Sequence, residues 1–180
     1  MIYNKISRFF CFPCLLFLIF FISAQAETLT FKNEISGVEL SGPDGWIMKP
    51  SENGSKNKGG FFVGFYQSSL KSGPRIMLSA TQEVTQDLKT PLDYANFTLE
   101  VLKYDNNFRV IKEPTLFTIN GREGVNYIFE FSSAGELKRL SEYVFMKDGL
   151  FYQISYTANV EDFDNNLNVF ESCVKTLVFR

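Results

Sequence analysis

The run from Arg122 to Ala158 constrains the fold more than any other part of this 180-residue chain. Val125, Tyr127, Phe129 and Phe131 sit two apart, as do Tyr143 and Phe145, and then Leu150, Tyr152, Ile154 and Tyr156. Period two puts such residues on one face of a pleated strand. The alternation breaks at Ser133-Ala134-Gly135 and again at Asp148-Gly149. Asp-Gly between alternating apolar runs is a hairpin signal, because a two-residue turn needs positive φ at its centre. The pattern predicts an antiparallel meander of three strands with an aromatic-rich buried face.

Upstream, Thr28 to Leu40 reads as a first strand, with Val38 and Leu40 on one face. Ser41-Gly42-Pro43-Asp44-Gly45 is turn chemistry leading to a short strand, Trp46-Ile47-Met48. Pro50 to Gly60 reads as a polar, mobile loop. Phe61 to Tyr66 is apolar on both faces, which suits a strand covered on two sides, and Arg75 to Gln82 alternates again. Thr90, Pro91 and Asp93 mark a helix start, with a cap, a proline at the first position and an acid in the first turn. That helix should run to about Tyr104. Leu92, Ala95, Leu99 and Leu102 form one apolar face; Tyr94, Phe97, Val101 and Tyr104 form a second that a single sheet cannot cover. Two short strands, Phe108 to Ile111 and Leu116 to Ile119, then lead through Asn120-Gly121 into the meander. The chain closes with a helix capped by Asn159, with Asp162 placed as in a capping box. Its core stripe is Phe163, Leu167, Phe170, Val174 and Leu177. Hairpin-linked strands with two helices predict an α+β fold, an antiparallel sheet sandwiched between helices.

Residues 1–26 stand apart. Lys5 and Arg8 precede an apolar run from Phe9 to Ile22, and Ala24-Gln25-Ala26 offers the small residues a signal peptidase reads. The run falls short of the roughly 18 apolar residues of a membrane span. We expect a cleaved secretory signal and a single domain over 27–180. The 154 remaining residues carry 16 Lys+Arg and 20 Asp+Glu, a net charge of −4. With no basic run, nothing in them suits a nucleic acid.

The chemistry available is limited. With no histidine in the chain, Ser-His-Asp and Cys-His catalysis and histidine-ligated metals are excluded. Cys173 is the one cysteine after residue 26, so no internal disulfide or CxxC pair can form there. Glu161, Asp162 and Asp164 could ligate a hard cation, although helix-dipole complementarity explains them without one. Glu130 and Glu142 lie on strands that could neighbour each other, so a glycosidase-like carboxylate pair is conceivable; solvent-facing positions beside Lys138 and Arg139 are the simpler reading. Trp46 could stack on a ligand or plug the edge of the core. We therefore assign no catalytic residue and no cofactor.

Gly37-Val38-Glu39-Leu40 followed by Pro43-Asp44-Gly45-Trp46 resembles the opening of PsbP-like domains. Lys147-Asp148-Gly149-Leu150-Phe151-Tyr152-Gln153-Ile154 resembles the late hairpin of that family, and the closing helix with Leu177-Val178-Phe179 is also similar. The resemblance spans nearly all of Glu27 to Arg180. It implies an antiparallel sheet between helices and a role in binding or assembly, as in the extrinsic lumenal protein of photosystem II, secreted bacterial relatives and a nuclear import factor of the same fold. The metal-binding histidines of the photosystem member have no counterpart here. The expectation is a secreted or periplasmic accessory module that binds a protein partner, with Tyr94, Phe97, Val101 and Tyr104 as its interface. The alternative is a small-ligand or cation-binding protein.

Overall fold

The structure is a computed structural model that describes residues 28–52, 54, 59–67, 73–82, 88–105 and 107–180. The signal-sequence expectation lies outside these residues, as do Asn53 and residues 55–58 of the polar loop. The order of elements is β1 (Thr30–Lys32), β2 (Val38–Ser41), β3 (Ile47–Pro50), β4 (Gly60–Tyr66), β5 (Arg75–Gln82), α1 (Pro91–Leu102), β6 (Arg109–Ile119), β7 (Arg122–Ser133), β8 (Glu136–Lys147), β9 (Leu150–Asn159), α2 (Val160–Lys175) and β10 (Val178–Phe179).

Seven strands form one antiparallel sheet in the order β3-β4-β5-β9-β8-β7-β6; β1, β2 and β10 form a small second sheet. The meander is built as its turns dictate. Asn120-Gly121, Ala134-Gly135 and Asp148-Gly149 each have positive φ at both residues, from 52° to 82°. These are two-residue turns whose twist matches that of the strands they join.

Strand parity decides what each face meets. Tyr143, Phe145, Tyr152, Ile154 and Tyr156 pack with Ile76, Leu78 and Ala80 beneath α2 and the small sheet, against Phe163, Phe170, Val174, Val38 and Leu40. The residues of opposite parity, Val125, Tyr127, Phe129, Val144 and Phe151, pack under Ala95 and Leu99 of α1. Both faces of the sheet are buried, as a sheet sandwiched between helices requires, but the alternating apolar sets of the meander divide between them instead of sharing one face. Among the described residues, no helix is long and apolar enough to cross a membrane.

Four local expectations are corrected. The first strand is two, because the Asn33 side chain accepts hydrogen bonds from the N–H groups of Ile35 (3.0 Å) and Ser36 (2.8 Å) and turns the chain. The two short strands after α1 are one, β6, with register shifts between Val110 and Lys112 and between Lys112 and Thr115. Pro114 is tolerated there because β6 is an edge strand and needs no outward ladder partner. α1 ends at Leu102, so Tyr104 lies past it. Its N-terminus has a full capping box: Thr90 accepts from the Asp93 N–H, and the Asp93 carboxylate accepts from the Thr90 N–H. Asn159 is the N-cap residue of α2 but its side chain makes no cap, since its Oδ1 accepts from Lys138 instead. In the polar loop, Ser51 donates its N–H to the Phe62 carbonyl at 2.9 Å, and the Gly54 carbonyl accepts from the Asn33 side chain at 2.6 Å.

Candidate functional site

Residues about 100° apart on α1 sort into a packed and an open side. Ala95 and Leu99 are buried, and Leu92 and Leu102 pack partly against the same core. Tyr94 goes with them: its ring lies 4.8 Å from that of Phe151. The other three members of the aromatic set are open, with Phe97 38%, Val101 55% and Tyr104 83% exposed. The structure thus divides the expected interface, with Tyr94 inside and Phe97, Val101 and Tyr104 outside. Lys103 and Glu100 pair beside them, and the Lys103 ammonium lies 5.3 Å from the Tyr104 ring.

The N-terminal turn of α1 borders a recess of about 660 Å³. Pro91, Leu92, Leu116 and Met146 give it an apolar wall, and Lys89, Arg122 and Glu123 line it as well. Leu116 is 65% exposed. Leu116 and Met146 are not among the site residues expected from sequence. A signal existed: Leu116 and Phe117 are adjacent apolar residues in one strand, so they must point to opposite faces. Phe117 packs into the core on the α2 side, and Leu116 is left on the other.

Under α1 the apolar layer holds an acid. Tyr127 and Glu142 face each other across β7 and β8, and the Tyr127 hydroxyl donates to the Glu142 carboxylate. Burial pushes the Glu142 carboxyl up to about 7, and the hydrogen bond from Tyr127 offsets only part of this. Burial and then the Glu142 charge hold the Tyr127 and Tyr94 hydroxyls above their ordinary value. Nearby, Gln153 donates to the Thr81 hydroxyl at 3.0 Å and accepts from that of Ser79 at 3.2 Å.

Glu130 and Glu142 do not meet. Glu142 is paired in register with Tyr127, and Glu130 with Arg139. Residues 127 and 130 differ in parity, so the two carboxylates project from opposite faces of the sheet and cannot flank one bond. Nor is Glu130 solvent-facing; it is 3% exposed. Arg139 (2.6 Å) and Arg109 (2.9 Å) grip its two oxygens. Burial raises its pKa, but the hydrogen bonds and charge of Arg139 and Arg109 outweigh that and hold it below the usual carboxylate range.

The remaining candidates separate. Glu161 and Asp162 occupy the first turn of α2, and Asp164 approaches Arg139 at 3.8 Å. Among the described residues, no group of three or more Asp, Glu, Cys or His side chains is placed to hold a metal ion. Trp46 is in the main core, 8% exposed. A shallow recess of about 400 Å³ lies between the Ser41–Asp44 turn and α2, but the tryptophan ring does not line it. Cys173 is buried, its thiol donates to the Ser41 carbonyl at 3.0 Å, and burial pushes its pKa up to about 12.

No protein-family model matches the sequence, and no curated protein matches it. Solved structures do match. Cyanobacterial PsbP from Synechocystis sp. PCC 6803 superposes with a TM-score of 0.60 at 13% identity, over 86% of this chain and 94% of that one. The chain has a PsbP-like fold. PA94 of Pseudomonas aeruginosa, a protein of unknown function, gives 0.59 at 16% identity, over 86% of this chain and 98% of that one. LpqN of Mycobacterium tuberculosis, which is involved in cell envelope biogenesis, gives 0.56 at 15% identity, over 86% of both chains. At these identities the likeness is one of fold.

Proposed function

We propose that the mature chain is a non-catalytic accessory module outside the cytoplasm that binds a protein partner through the open side of α1. The observation that carries this reading is the row Phe97, Val101 and Tyr104, apolar and uncovered among the described residues. Aromatic residues are enriched at protein interfaces, and a PsbP-like structure among those matched belongs to an envelope-biogenesis protein. The extracytoplasmic address rests on the pattern of residues 1–26, and N-terminal analysis of exported protein should find Glu27 first. Met1 retained on mature, membrane-embedded material would overturn the reading of a cleaved signal and a soluble mature chain.

Partner binding is tested by separating stability from capture. Replacing Phe97 and Tyr104 together by alanine should cost under about 1 kcal/mol, because neither side chain leaves a closed cavity. The same change should abolish co-purification of whatever protein the native chain retains. A loss of about 3 kcal/mol with capture intact would mean that the row is covered within the folded chain.

A further inference from the structure

The ends of four adjacent strands, β5, β9, β8 and β7, enclose a recess that the α1 reading does not use. It has a volume of about 270 Å³ and is lined by Arg75, Thr157, Lys138, Glu136 and Ser133, among others. Arg75 is the unusual member. Among the described residues its Nε, shut off from solvent, has no hydrogen-bond partner and its guanidinium makes no ion pair. A buried guanidinium donor without an acceptor is costly, and native structures rarely leave one unexplained. Lys138 stands beside it with its side chain only 11% exposed. Its ammonium donates to Glu136 at 2.5 Å and to Asn159, which leaves one of three donors without a partner among the described residues. Thr157 is buried and, like Ser133, makes no side-chain hydrogen bond among the described residues. The recess therefore holds two cations against one carboxylate, in a protein whose net charge is negative.

We propose that this recess binds the oxyanion head of a small ligand, a carboxylate or a phosphate, with Arg75 as its principal anchor. A guanidinium presents parallel donors that match two oxygens of either group, and Lys138 adds a compact charge. The Ser133 and Thr157 hydroxyls are placed to donate to remaining oxygens. The volume is near the lower end for ligand cavities, which restricts the occupant to a few heavy atoms beyond the head group. This inference does not depend on α1 or on any partner bound there.

The test is titration of the full mature chain with inorganic phosphate and, separately, with succinate, at fixed ionic strength set by chloride. Amide NMR shifts and melting temperature are the readouts. One of the two anions should shift the amides of Ser133, Gly135 and Thr157 saturably and raise the melting temperature. Phosphate alone assigns a phosphate head, and succinate alone a carboxylate. Arg75→Gln should weaken the binding anion at least tenfold, while Glu136→Gln should tighten it severalfold by removing the competing charge. Should Arg75→Gln fail to fold, Lys138→Gln with Thr157→Val replaces it and should weaken binding by a similar factor. No saturable shift with either anion up to about 50 mM, far above the concentrations at which built sites fill, overturns the proposal. Equal binding by native chain and variants overturns it too.

Discussion

Glu142→Gln should make this protein more stable at neutral pH, although it removes a hydrogen-bonded acid from the core layer. In the fold the Glu142 carboxyl titrates at about 7; in the unfolded chain it returns to its ordinary value of 4.5. Between those values the native state holds a proton that the unfolded state has released, so stability falls as pH rises through this window. Above pH 7 the full penalty applies. A difference of about 2.5 units at 1.36 kcal/mol each gives about 3 kcal/mol as an upper figure. Glutamine resembles the protonated acid and keeps an oxygen for the Tyr127 hydroxyl, so the variant escapes the penalty. Urea denaturation at pH 5, 6, 7 and 8 measures it. The variant should already lead by just under about 1 kcal/mol at pH 5, and the gap should widen to about 2–3 kcal/mol at pH 8. A gap independent of pH would show that the carboxyl is not desolvated beneath α1. Glu130 does not confuse the comparison: its pKa is lowered, so its contribution is lost only as pH falls below the ordinary carboxylate range.

Other consequences are more direct. Glu130→Gln leaves Arg139 and Arg109 without their shared anion and should cost about 3 kcal/mol by denaturant titration at pH 7. Cys173, buried and with its thiol pushed up to about 12, should resist a thiol reagent at pH 8 in the native state and react once urea unfolds the chain.

Much of this fold is written locally. The three tight turns are spelled by Asn-Gly, Ala-Gly and Asp-Gly, and apolar residues recur two apart along the strands between them. The start of α1 is legible for the same reason, because a cap, a proline and an acid act within one turn. The features that escaped depend on neighbours. Asn33 folds its own backbone into a turn and splits a strand that propensity alone would run through. Asn159 gives its side chain to Lys138, 21 residues away, so the cap predicted for it is not made. Glu130 and Glu142 read as a possible pair because sequence shows that their strands adjoin, and register then assigns them to opposite faces. Tyr94 sits at the border of the helical wheel, and only the presence of Phe151 beneath it decides that it turns inward. The Arg75 recess joins residues from four strands and has no sequence signature at all.

The most direct test of the α1 reading is site-specific photo-cross-linking in the native host. A photoreactive residue at Tyr104 probes the proposed contact, and one at Lys49, on the far edge strand β3, serves as the control. The account predicts a discrete protein adduct from position 104 that is lost when Phe97 is changed to alanine, and none from position 49. Adducts of equal yield from both positions, or none from position 104 in cells where the folded protein is abundant, would contradict it.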